Sequence, residues 1–319
     1  MSDLTGGDGE EDSFPGLTVS ITLARLAYSA SGLEGLPSYE ELGLADLVEA
    51  GRQWQLLRAD ASTWEWNAAF AGRPEAWREI GLLMGSVGES VMLAAAAQTE
   101  IEALRGAVRA GAIPHSCVLA LRFFAEGQSH LLISVSHRLT NIALRGLMLA
   151  KGYPWSTTDR RVPAVPAAPY SPEKKDWIQF SLSPVLVELA EGSGIPSLTA
   201  LAATVSSLAS DPAWQELQHH RDEDFHRARE ESPLVFDSRR APVWRETGPG
   251  QRTLSMSWRP DPSADEALAW ADSICSVPQQ AMKALAPLLS RFADTWADCM
   301  HDLSDGRFSM TTSTTDAEG

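Results

Sequence analysis

The chain has 319 residues, 44% of them apolar and 21% charged, which is enough to bury a sizeable core in one large or two small domains. A formal net charge of −16 excludes generic affinity for nucleic acid or for anionic membrane. Part of that charge sits in Gly/Asp/Glu-rich residues 1–16 and in the tail 305–319, both expected to be disordered, and the stretch 221–259 is close to neutral.

No cationic-plus-apolar leader opens the sequence and no stretch of eighteen residues is uninterruptedly apolar, so no membrane partner and a cytoplasmic location are expected. Cys117, Cys275 and Cys299 are far apart and odd in number. They match neither a disulfide framework nor a zinc pattern and read as buried, reduced thiols.

After a mixed segment from Leu17, Ser38 and Glu41 match a capping box that predicts a helix over 38–58. Pro74 opens a long helix to about Ala110, and Gly111 and Pro114 end it. A second runs from about His115 to Lys151 and stops at Gly152 and Pro154. The two should pair as an antiparallel hairpin. Residues 152–184 carry five prolines before Pro184, with Trp155, Tyr170, Trp177 and Phe180 among them. They read as an ordered crossover wrapped on the bundle, which favours a single domain over 17–304 with its core at 74–303.

Helices follow at about 184–191 and 196–209. Another opens at Asp211-Pro212 and should end near Glu231. Alternating residues around Gly248-Pro249-Gly250 predict a β-hairpin insert over 243–258. A last helix spans about 263–302, with Pro278 and Pro287 expected to kink or break it. No Gly-rich phosphate loop and no strand–helix alternation occur, so the fold class is all-α, a bundle of four long helices with one hairpin, and no cofactor is expected.

Chemistry concentrates in 219–229, which holds three histidines, three arginines and three carboxylates. At 100° per residue, Arg221 lies at the centre of a face with Trp214, Leu217, Phe225 and Ala228. A guanidinium there needs an anion or a groove, or else a buried ion-pair partner such as Glu89 or Glu126. Asp222 and His226 share a neighbouring face four residues apart, where the carboxylate can orient the imidazole.

Arg221-Asp222-Glu223-Asp224-Phe225-His226 resembles the R-x4-6-H motif of the HEPN superfamily, in which a polar residue follows the arginine. The resemblance implies a helical bundle and a metal-independent endoribonuclease whose Arg and His converge at a homodimer interface. It implies His226 as acid or base, Arg221 on the scissile phosphate and Asp222 as polar support, with 2′,3′-cyclic phosphate and 5′-hydroxyl products. It also suggests a toxin or phage-defence role, RNA as substrate and a neutralising or regulatory protein partner.

Two alternatives stay open. One is a HEPN-like binding or assembly module without catalysis. The other is a metal-dependent helical-bundle enzyme, because His219, Glu223 and His226 have a spacing that can line up three ligands. Glu223-x-x-His226 has the Glu-x-x-His spacing, but di-metal bundles need that motif on two separate helices, so no metal site is assigned.

Weaker substrate-binding candidates are His137, Asn141 and Arg138 on the second long helix, with Arg227 and Arg229. His130, Ser134, His137 and Asn141 form a polar strip that reads as a groove lining, a dimer interface or a solvated face. Trp244 and Trp258 offer flat surfaces for base stacking or for packing the hairpin onto the bundle.

Overall fold

Proline and glycine mark most of the helix boundaries. The computed structural model describes residues 36–61, 74–111, 114–150, 177–226, 243–248, 251–255 and 263–304. It describes side chains for 36–57, 79–111, 120–150, 177–222 and 263–304. In chain order the helices are α1 (Ala45–Ala61), α2 (Pro74–Arg109), α3 (Pro114–Leu149), α4 (Ser183–Ser193), α5 (Pro196–Ala209), α6 (Pro212–His226) and α7 (Ala264–Leu303). A 3-10 turn, Phe180–Leu182, leads into α4.

Pro74, Pro114, Pro196 and Pro212 stand at first helical positions, where the missing N–H has no intrahelical acceptor to lose. Gly111 (φ 89°) and Gly194 (φ 70°) follow α2 and α4 in the left-handed conformation that lets the chain leave a helix. Two strands, β1 (Val243–Gly248) and β2 (Gln251–Ser255), pair antiparallel, with Trp244 opposite Leu254 and a register shift between Glu246 and Gly248.

The described residues are mostly helical, and among them three helices of 36, 36 and 40 residues dominate where four long ones were expected. α6 is described to His226; its expected extension to Glu231, like 256–258 of the hairpin, the tails and 152–176 of the crossover, lies outside the described residues.

The first helix starts later than its capping signal implies. The Ser38–Glu41 box forms, with the Glu41 N–H donating to Ser38 Oγ (3.2 Å) and the Ser38 N–H to Glu41 Oε2 (2.7 Å). It closes only a turn, which Gly43 (φ 66°) ends before α1 begins at Ala45.

Of the expected kink or break at Pro278 and Pro287, no break occurs: α7 runs through both prolines. Each proline removes one intrahelical bond and costs about 3 kcal/mol. Leu285, Leu289, Phe292 and Trp296, all fully buried on one stripe of α7, together offset this by about 6–12 kcal/mol. A capping box starts the helix, Ser263 Oγ accepting from the Glu266 N–H and Glu266 reaching back to the Ser263 N–H.

The main core draws on every helix. α2 lies between α1 and α3, and α7 closes the group, bringing Trp296 and Phe292 against Trp54 of α1 and the α3 and α5 leucines. α1 and α2 cross backbone to backbone: a Cβ on Gly88 would sit 2.5 Å from the Gly51 carbonyl oxygen. A polar chain ties the far ends of α2, α3 and α7 together. Gln128 Nε2 donates to Gln98 Oε1, Gln98 Nε2 to Glu102, and Arg105 bridges Glu102 to Asp272. The span Glu79–Arg109 is long and apolar enough to cross a membrane, but 67% of its most apolar window is buried inside this fold. Cys275 and Cys299 are buried, and desolvation pushes both thiols up to about 12. Cys117 lies among the α3 residues whose side chains are not described.

Candidate functional site

α6 is anchored at its start and open toward its end. Asp211 Oδ1 accepts from the N–H groups of Ala213 (2.9 Å) and Trp214 (3.2 Å), capping the helix. Trp214 and Leu217 are fully buried, and the Trp214 ring meets Phe180 edge-on with centroids 6.5 Å apart. One turn on, Arg221 continues that face at the rim of the core, its side chain 28% exposed.

Its carboxylate partner is neither Glu89 nor Glu126. Glu126 receives Arg122 Nε at 2.7 Å, and Glu89 acts on Arg138. Asp222 Oδ1 lies 3.1 Å from Arg221 Nε, an ion pair in which no hydrogen bond forms. With Asp222 56% exposed, such a pair contributes at most about 1 kcal/mol. Among the described residues the guanidinium is therefore held by no stronger partner than Asp222.

The α3 face beside it changes character along its length. His130 is exposed, Ser134 and His137 are half-buried, and Asn141 and Arg145 are fully buried. The end of the crossover covers the buried part. Asn141 clamps Ile178 on both sides, donating from Nδ2 to the Ile178 carbonyl (2.9 Å) and accepting the Ile178 N–H at Oδ1 (3.1 Å). Its Nδ2 also reaches the His137 carbonyl at 2.7 Å. Arg145 Nη2 pairs with Glu79 at 2.8 Å and Nη1 donates to Asn141 Oδ1 at 3.3 Å, so a wholly buried cation meets a carboxylate there.

His137 Nδ1 accepts the N–H of Phe180 at 3.2 Å. A nitrogen that accepts carries no proton, so the imidazole is neutral, with its proton on Nε2. Burial, and then the charge of Arg221 on α6, hold its pKa below the usual histidine value.

The structure therefore brings Arg221, Asp222 and His137 into one neighbourhood and assigns Asn141 and Arg138 to internal contacts. Arg138 turns toward α2, where Nη1 donates to the Ser86 carbonyl (3.1 Å) and to Ser90 Oγ. His226 closes α6 in the backbone, but its side chain, with that of Glu223, is outside the described set. Arg227, Arg229 and Trp258 also lie outside the described residues. Among the described residues no group of three or more His, Cys, Asp or Glu side chains converges as a metal site.

The neighbourhood offers a permanent positive charge, a neutral imidazole whose Nε2–H is a donor, and a carboxylate at the rim. That set suits an oxyanion better than a cation. The part played by the Phe180 backbone was missed from the sequence, because the groups it joins are 43 residues apart. The chain matches no family model, no curated protein and no solved structure.

Proposed function

We propose that this chain is a HEPN-like, metal-independent endoribonuclease that acts as a homodimer in the cytoplasm, as a toxin or phage-defence effector. The observation that carries the reading is Arg221, aligned with buried Trp214 and Leu217 yet partly open at the rim, five residues before His226 on one helix. In this reading α6 stands beside α2, α3 and α7 as the fourth helix of the bundle.

His226 moves the proton of the RNA 2′-hydroxyl or of the leaving oxygen. Arg221 neutralises the scissile phosphate, and Asp222 releases the guanidinium to it. Attack by the 2′-oxygen on its own phosphate gives a 2′,3′-cyclic phosphate and a 5′-hydroxyl. Arg221 and His226 stand roughly 140° apart on a straight helix, which is why a second protomer enters the reading. The acidic surface opposes unassisted RNA capture and favours a regulatory or neutralising protein partner.

The Arg221–Asp222 pair supports a second reading, a HEPN-like binding or assembly module, because a paired arginine need not act on a phosphate. RNA cleavage by the wild-type chain and by Arg221→Ala and His226→Ala, each with and without EDTA, separates the readings. Cleavage that survives chelation and is lost in both variants supports the nuclease. Cleavage abolished by EDTA refutes it in favour of metal chemistry. No cleavage under any condition leaves the binding module.

A further inference from the structure

Two neighbouring turns of α3 hold the incoming chain by different chemistry. Asn141 grips both backbone groups of Ile178, and an amide side chain does not titrate. His137, one turn earlier, holds the Phe180 N–H with a ring nitrogen that can accept only while unprotonated. Phe180 is buried, opens the 3-10 turn that leads into α4, and carries the ring that meets Trp214 of α6.

We propose that His137 is a proton-released latch: unprotonated, it fastens the Phe180 backbone to α3, and protonated, it lets the 180–182 turn go while Asn141 keeps Ile178 in place. Protonation has two effects on this geometry. It turns Nδ1 into a donor that faces the Phe180 donor. It also sets a second positive charge beside Arg221.

Among the described residues the charged surroundings are sparse. Arg221 of α6, with Asp222 at its Nε, is the charged group acting on His137. Residues 177–182 and α5 carry no titratable side chain. Glu89 of α2 bears on Arg138; Glu188 and Glu191 of α4, Glu216, His219 and His220 of α6 and Lys283 of α7 do not figure among the influences on His137.

The direction follows from the lowered pKa. The stability that the latch contributes is fully present above the ordinary histidine value of about 6.5, and it is lost as pH falls through the lowered one. The latch is therefore closed at neutral pH and opens on acidification. Nothing in it depends on RNA cleavage.

Hydrogen exchange of the full-length chain, resolved to single amides and divided by the intrinsic rate at each pH, tests this. From about pH 7.5 down to the lowest pH at which the chain stays folded, protection of the Phe180 amide should fall about three- to tenfold once His137 is protonated, the loss of one hydrogen bond of ordinary net worth. Protection of the Ile178 amide should hold steady. In His137→Gln, whose amide oxygen accepts without titrating, Phe180 should keep its protection throughout. In His137→Leu it should lack it at both ends of that range. A pH-independent Phe180 amide in the wild type overturns the proposal. So does a His137→Gln variant that loses protection in the same range, or an Ile178 amide that opens together with Phe180.

Discussion

Replacing Asn141 with leucine should show how much of the fold depends on one amide clamp. The substitution leaves the Ile178 N–H and C=O without their side-chain partners in a site where Ile178 is 2% exposed. Each buried backbone group left unsatisfied costs about 1–3 kcal/mol. The His137 carbonyl loses only an extra acceptance, and Arg145 keeps Glu79. The sum of about 2–6 kcal/mol has a ceiling, because the segment can peel off α3 and rehydrate at the expense of burying Ile178 and Phe180. The expected loss is therefore about 2–4 kcal/mol, measured as a shift in urea unfolding at constant slope. Asn141→Asp keeps an acceptor for the Ile178 N–H and sets a carboxylate against Arg145, so it should lose less than the leucine variant. A loss below about 0.5 kcal/mol for Asn141→Leu, within the range of an ordinary surface change, would refute the view that this clamp holds the crossover's end.

Gly88→Ala should destabilise the chain by about 1–3 kcal/mol, because the new methyl would meet backbone that cannot swing aside, the Gly51 carbonyl at 2.5 Å and the Gln55 N–H at 3.1 Å. Gly106→Ala, in the same helix but with open space around the new Cβ, should instead be stabilising by up to about 1 kcal/mol; paired urea titrations check both signs. Cys275 and Cys299, with thiols pushed up to about 12, should resist a thiol reagent at mildly alkaline pH and react once the chain is unfolded. Peptide mapping of the labelled native chain reads this directly, and rapid native labelling at either position would contradict the burial.

How far the sequence carries can be judged position by position. The bounds of α2, α3 and α5 were legible because Pro74 and Pro196 fix the starts of α2 and α5, and Gly111 and Pro114, read as the end of α2, leave α3 to begin beside them. The start of α1 was not, because a capping box reports one satisfied turn and says nothing of whether the next four residues continue it. α7 defeated a local rule: its prolines act on two backbone bonds, whereas its apolar stripe collects partners from α1, α3 and α5 along its whole length.

The same contrast runs through the candidate site. The inward turn of Arg221 was legible, since helical periodicity puts it with Trp214 and Leu217. Its partners were not. Neither Glu89 nor Glu126 holds it, and the adjacent Asp222 does, a matter of rotamer choice that spacing cannot rank. The polar strip of α3 looked like one surface, yet it divides into an exposed His130, a half-buried His137 and a fully buried Asn141 once residues 177–180 return to cover it. That return depends on contacts across about 40 residues of chain and leaves no periodic trace in sequence.

The most direct test of the nuclease assignment is the chemistry of the ends that the chain leaves on RNA. The wild-type chain, incubated with RNA in excess EDTA, should produce 2′,3′-cyclic phosphate and 5′-hydroxyl termini, and Arg221→Ala should produce none. Products ending in 3′-hydroxyl and 5′-phosphate, or cleavage that persists undiminished in Arg221→Ala, would contradict the account.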